Sequence, residues 1–178
     1  MNRYARLLGI GMCLTLLSSC IFFERRTAGS YIDDGNIETK IRSFVQTDSN
    51  VRPDSHISTV SYNGIVLLTG EVKDAKVREL VVSYAKETAG VKKVVDEMRI
   101  AGTAGFGSRS NDTWITTKVK SMLAGKAGLL ADRVKVLTES SVVYLMGIVT
   151  KDEADTAVAI TRQIDGVTRV VKVFEYTN

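Results

Sequence analysis

The chain has 178 residues, with 24 basic and 20 acidic side chains, one histidine and two cysteines. A formal net charge of +4 is too small to drive binding to a polyanion, which argues against nucleic acid as a partner. One histidine and two cysteines are too few for a clustered His/Cys metal centre or a disulfide framework, so stability must come from packed cores.

The first twenty residues set the address. Arg3 and Arg6 form a basic start, residues 7–17 an apolar run of about eleven, and Ser18-Ser19 a small-residue cleavage site, which is the layout of a secretory signal. The run is too short to cross a bilayer as a helix. Leu17-Ser18-Ser19-Cys20 resembles the lipobox of bacterial lipoproteins, and that resemblance implies that Cys20 is diacylated and becomes the first mature residue. Residue 21 is isoleucine, not the aspartate of the inner-membrane retention signal, which implies the outer membrane and a periplasm-facing chain. Removing residues 1–19 takes Arg3 and Arg6, leaving 22 basic and 20 acidic groups, so the mature protein is nearly neutral. Cys13 leaves with the signal and Cys20 carries lipid, so no bridge forms despite an oxidising compartment. Behind the anchor, residues 21–23 (Ile-Phe-Phe) and Arg25-Arg26 suit a membrane interface, and residues 27–31 read as a flexible leash.

The rest of the chain is an internal repeat. Residues 34–41 (DGNIETKI) align with 112–119 (DTWITTKV), 66–72 (VLLTGEV) with 143–149 (VYLMGIV), and 89–91 with 165–167, at an offset that drifts only from 78 to 76. The domains are expected at 33–101 and 111–178, behind a lipidated tether at 20–32. Residues 102–110, rich in glycine and serine, separate them as a linker and not as a phosphate-binding loop.

Each copy opens with a helix: Ile37, Ile41 and Phe44/Val45 recur at helical spacing behind Asp33 and Asp34 as candidate caps, and Ile115, Val119 and Met122/Leu123 do so behind Asp112. Residues 57–62 and 65–69 flank Asn63-Gly64, a strong hairpin signal because both central positions of a type I′ turn need positive φ. Ser141 replaces that glycine in the second copy, so its hairpin is expected to strain the residue or lengthen the turn. Asp74 starts a second helix carrying Val77, Leu80/Val81 and Tyr84, stopped at Gly90, and residues 94–100 form a last strand. The order is α-β-β-α-β, twice.

That order, with the Asn-Gly hairpin, a glycine after the second strand (Gly70, Gly147) and Gly-Val before the last (Gly90-Val91, Gly166-Val167), resembles the BON domain. Two such domains behind a lipobox are similar to the dual BON-domain outer-membrane lipoproteins. The resemblance implies an α+β fold of two tandem domains, each a three-stranded mixed sheet with two helices on one face. It also implies a non-catalytic role in phospholipid binding and envelope integrity.

The residues offer little chemistry. His56 stands alone in one copy, and the acidic pairs Asp33-Asp34, Asp96-Glu97 and Asp152-Glu153 are adjacent, not spaced to converge, so each reads as a solvated cap or strand edge. No catalytic residue, metal ligand or cofactor is expected. A pore-forming or membrane-damaging role lacks a suitable amphipathic or barrel-forming stretch.

Comparison of the copies points instead to a surface. Trp114 stands where the first copy has Asn36, outside the shared core pattern, with Lys118, Lys120 and Lys126 on the same helix. An indole sits well among lipid headgroups, and lysines near a membrane favour anionic lipid. The resemblance assigns anionic-lipid contact to this first helix of the second domain, and the expected phospholipid-binding set is Trp114, Thr117, Lys118, Lys120 and Ser121. The other option for Trp114 is packing against Phe106 of the linker or against the first domain. Strand alternation also leaves Ile65, Leu67, Val142, Tyr144 and Met146 apolar on the sheet faces opposite the helices. Those faces suit either the other domain or a protein partner such as an outer-membrane assembly factor; the oligomeric state is not readable.

Overall fold

A computed structural model describes residues 26–101, 109–127 and 130–177. Cys20, residues 21–23, Arg25 and Phe106 lie outside the described residues. The first domain runs α1 (Ala28–Thr47), β1 (His56–Tyr62), β2 (Ile65–Val72), α2 (Ala75–Glu87) and β3 (Lys93–Ile100). The second runs α3 (Arg109–Ala127), a short α4 (Leu130–Arg133), β4 (Val134–Glu139), β5 (Val142–Val149), α5 (Lys151–Arg162) and β6 (Arg169–Tyr176). In each, the middle strand pairs antiparallel with its hairpin partner and parallel with the last strand, giving the orders β1-β2-β3 and β4-β5-β6. Two three-stranded mixed sheets with helices on one face follow from the α-β-β-α-β reading.

Each domain owns a core. Ile37, Ile41 and Val45 of α1 meet Val66, Leu68 and Val72 of β2 and Val77 and Val81 of α2. In the second copy Ile115, Val119 and Leu123 of α3 meet Val143, Leu145 and Val149 of β5 and Ala157 and Val158 of α5. The 3.6-residue stripe of the helices and the two-residue alternation of the strands are thus spent on the same layer.

Several local expectations are corrected. Helix α1 starts at Ala28, capped by Thr27, whose Oγ1 accepts the Ser30 amide at 3.1 Å. Asp33 and Asp34 therefore sit inside the helix, and Asp34 is only 1% exposed, neither a cap nor solvated. Residues 28–31 are helical, not a leash. Arg26 is 9% exposed and holds Asp34 at 2.6 Å, so it turns into the domain instead of out toward phosphates. Asp96 of the next acidic pair binds Arg78 at 2.7 Å. Gly70 and Gly147 fall within β2 and β5, not after them, where an added Cβ would collide with a facing carbonyl oxygen, that of His56 at Gly70 and that of Arg133 at Gly147. The second hairpin keeps a two-residue turn, and Ser140 and Ser141 take φ of 50° and 63° beside 52° and 78° for Asn63 and Gly64. Strain, not a longer loop, is the solution.

The apolar sheet faces close on each other. Tyr62 and Leu67 pack with Tyr144, Met146, Ile148 and Val173, and Val60, Ile65, Val95, Leu137, Val142 and Val171 extend the layer. Its rim is stitched by Asn63 Nδ2 donating to Glu175 at 2.8 Å and by Arg99 donating to Ser140 Oγ at 2.7 Å. Asn63 and Ser140 are equivalent in the repeat, as are Arg99 and Glu175, so the two halves meet as a pseudo-twofold pair. Lys135 reaches Glu38 at 2.8 Å and the Ser61 carbonyl at 3.2 Å, and Arg169 reaches Glu97 at 2.7 Å. The result is four layers, helices outside and two sheets within.

Candidate functional site

Helix α3 owes its position to two anchors. On its inner side Ile115, Val119 and Leu123 are fully buried. At its start, the Asp112 carboxylate accepts the Ser140 and Ser141 amides, both at 2.8 Å, and Thr116 Oγ1 donates to Thr138 Oγ1 at 2.7 Å. A carboxylate accepting both amides of a strained turn satisfies donors that the hairpin itself leaves over. The helix is thereby tied to the β4–β5 hairpin before its outer face is considered.

That outer face carries the sequence-predicted set. Trp114, Thr117, Lys118 and Ser121 fall at i, i+3, i+4 and i+7, one continuous stripe, and all four are exposed. Trp114 is 50% exposed, too open for a core residue. Lys120, also exposed, lies about 120° around the helix from Trp114, beyond Thr117, so it flanks the stripe instead of joining it. Thr117 Oγ1 donates to the Thr113 carbonyl at 2.9 Å, which turns its hydroxyl along the helix and leaves its methyl to the surface. Among the described side chains of α3 the only acidic one is Asp112, already committed to the hairpin, against Lys118 and Lys120. On α1, Asp33 and Glu38 interrupt the matching surface, and Glu38 engages both Arg42 at 3.8 Å and Lys135. The two copies share a core and differ in what they show to solvent.

Beside this helix runs an open groove of about 410 Å³, lined by His56, Asp112, Thr113, Thr116, Thr117, Leu137, Thr138 and Glu139. It brings the single histidine, at the start of β1, next to the α3 stripe from the other domain. The site residues that sequence reasoning missed are Asp34 and Asp112. Ser61 Oγ, Asn63 N and Gly64 N donate to Asp34 at 2.5, 2.7 and 2.9 Å, and Arg26 completes its shell. Burial alone would push the Asp34 carboxyl up, but the donors from Ser61, Gly64 and Asn63, with the Arg26 charge, hold it below its ordinary value. The repeat alignment placed Asp34 on Asp112; a shared aspartate that precedes a shared hairpin was the available signal.

Among the described residues no group of three His, Cys, Asp or Glu side chains is placed to hold a metal ion, and no helix is long and apolar enough to cross a membrane. Across the domain junction, Tyr144 is pushed up by burial and by the nearby Glu97 carboxylate, while the hydrogen bond to Glu97 raises Arg169 further.

Comparison with known proteins agrees with this architecture. The family model of the BON domain matches residues 33–102 and again 111–178. The chain is 38% identical over 153 residues to the outer membrane lipoprotein DolP of Haemophilus influenzae, covering 86% of this chain and 79% of that protein. It is 34% identical to the 21 kDa hemolysin of Actinobacillus pleuropneumoniae with the same coverages, and 29% identical to the osmotically-inducible protein Y of Escherichia coli over 80% of this chain and 72% of that one. The double match of the family model, placed on two domains with the same strand order, shows that the chain belongs to the BON-domain family.

Proposed function

We propose that this protein is a non-catalytic, lipid-anchored outer-membrane protein that faces the periplasm, binds anionic phospholipid through α3 and thereby supports envelope integrity. The observation that carries the reading is Trp114, half-exposed on a stripe with Lys118 beside it and Lys120 on its flank, where the first copy has Asn36. The indole ring inserts at the headgroup level while Lys118 and Lys120 meet phosphate oxygens, each contributing about 1 kcal/mol near an anionic surface. Holding the helix rigidly through Asp112 and the inner core keeps the entropic cost of binding low. The similarity to the outer membrane lipoprotein of Haemophilus influenzae supports the address, and Cys20 supplies the anchor by acylation. No reacting group takes part, and the sheet faces that would have suited a protein partner are buried against each other.

Trp114 is the chain's single tryptophan, so its fluorescence reports this site alone. A soluble form of residues 26–178, keeping Arg26, is expected to show a blue-shifted indole with phosphatidylglycerol vesicles and no shift with phosphatidylcholine. Trp114→Glu is expected to abolish co-sedimentation with the anionic vesicles at unchanged circular dichroism. Undiminished binding of that variant would remove α3 as the lipid site.

A further inference from the structure

We propose that the start of α1 is a second membrane contact, formed by the exposed stripe Ala28, Tyr31, Ile32 and Gly35 and seated on the same bilayer that holds the Cys20 acyl chains; this rests on the reading of Cys20 as the anchor. Tyr31 and Ile32 are 67% and 63% exposed, more open than any other large hydrophobic side chain among the described residues. They belong to one face with Ala28 and Gly35, at i, i+3, i+4 and i+7, and a Cβ built on Gly35 would meet nothing within 4 Å. Apart from the Arg26 guanidinium over the Tyr31 ring, this face is apolar and belongs to none of the three hydrophobic clusters among the described residues. The inner face of the same helix supplies the core through Ile37, Ile41 and Val45, so the outer stripe is not needed for folding.

Where the chain leaves the domain decides what covers the stripe. Arg26 is clamped: its guanidinium pairs with buried Asp34, and its central carbon lies 4.8 Å from the Tyr31 ring centroid and 4.6 Å from that of Tyr62. Asp34 in turn holds the β1–β2 turn through the Asn63 and Gly64 amides. Six peptide steps separate Cys20 from Arg26, and even at full extension they span only about 20 Å. Tyr31 lies in the first turn beyond this clamp and Ile32 follows it, so neither can move far from the headgroups in which Cys20 is embedded. An aromatic ring with a polar tip beside a branched aliphatic is the composition of an interfacial contact. Asp33 beside the stripe disfavours an anionic-lipid site, so this contact works through apolar insertion and is indifferent to lipid charge, unlike α3.

The test uses the full mature lipoprotein in vesicles. Cys13 is lost with the signal and Cys20 is acylated, so Ile32→Cys offers one free thiol for an environment-sensitive fluorophore, with Lys40→Cys, exposed two turns further along, as reference. In phosphatidylcholine and phosphatidylglycerol vesicles alike, the probe at position 32 is expected to be blue-shifted and quenched by lipid-borne nitroxide, and the probe at position 40 to match its signal in buffer. Palmitate labelling that disappears in Cys20→Ser checks the anchor separately. Confirmed acylation with an aqueous, unquenched probe at 32 overturns the second contact and leaves the anchor standing; absence of acylation removes both. A blue shift that grows with the protein-to-lipid ratio overturns it in favour of a second copy as the occupant.

Discussion

A single aspartate does the same work in each repeat, and nothing local announces it. Asp34 and Asp112 accept the amides of a hairpin turn that is 28 to 30 residues further along the chain. Local pattern reading saw a polar residue just before an apolar helical stripe and assigned a cap, because the donors it serves are distant in sequence. The same blindness sent Arg26 to the membrane when its partner is Asp34. Replacing Asp34 with alanine leaves two turn amides, the Ser61 hydroxyl and the Arg26 charge short of their acceptor and is expected to cost about 3 kcal/mol in urea unfolding of residues 26–178. The pH dependence has a definite sign. The folded-state carboxyl is depressed, so its contribution is complete above the unfolded value near pH 4 and is lost as pH falls through the folded value. Wild type is expected to lose stability with acid more steeply than Asp34→Asn over that range; parallel profiles would show that the carboxylate charge is not what the turn requires.

At the level of elements, type and order were legible apart from the short α4, while most boundaries were not. Alternation, Asn63-Gly64 and the Asp74 cap fixed β1, β2 and the start of α2, the last through the Val77 amide bonded to Asp74 at 2.9 Å. The true start of α1 was hidden because residues 28–33 contribute nothing to the core, so the buried apolar stripe that marks the helix begins only at Ile37. Trp114 was found for the opposite reason: an exposed indole breaks the pattern that the two copies otherwise share. The β4–β5 turn shows how far the fold bends a residue to keep its register. Ser141 sits at φ 63°, a left-handed conformation that costs a non-glycine residue about 1 kcal/mol. Its hydroxyl accepts only a 3.2 Å bond from Asn111, exposed to water. Ser141→Gly is therefore expected to raise thermal stability by about 0.5–1 kcal/mol with vesicle binding unchanged, a gain that calorimetry resolves; a loss would mean that the Asn111 contact outweighs the strain.

Over the whole molecule, the decisive feature is what the two sheets do with their second faces. Strand alternation established that Leu67, Tyr144 and Met146 must be covered, but alternation states burial and not the identity of the cover, so the other domain and an outside partner were equally compatible with it. The inter-sheet layer answers this: Leu67, Tyr144 and Met146 are buried in a third apolar cluster to which both domains contribute. Rim ion pairs such as Arg169–Glu97 are largely open to water on the arginine side and contribute below about 1 kcal/mol, so the layer itself must hold the halves together. Docking joins α3, with its exposed Trp114 stripe, to the domain whose first described residue, Arg26, is clamped by Asp34. Leu67→Asp places an unpaired charge in the middle of that layer while leaving both helix-side cores untouched. Wild type is expected to unfold in one transition, seen alike by Trp114 fluorescence, which reports the second domain, and by far-ultraviolet circular dichroism, which reports both. In Leu67→Asp the two probes are expected to part, with the fluorescence transition separating from the overall loss of structure. Coincident transitions in that variant would mean that the domains are coupled by something other than the faces of their sheets.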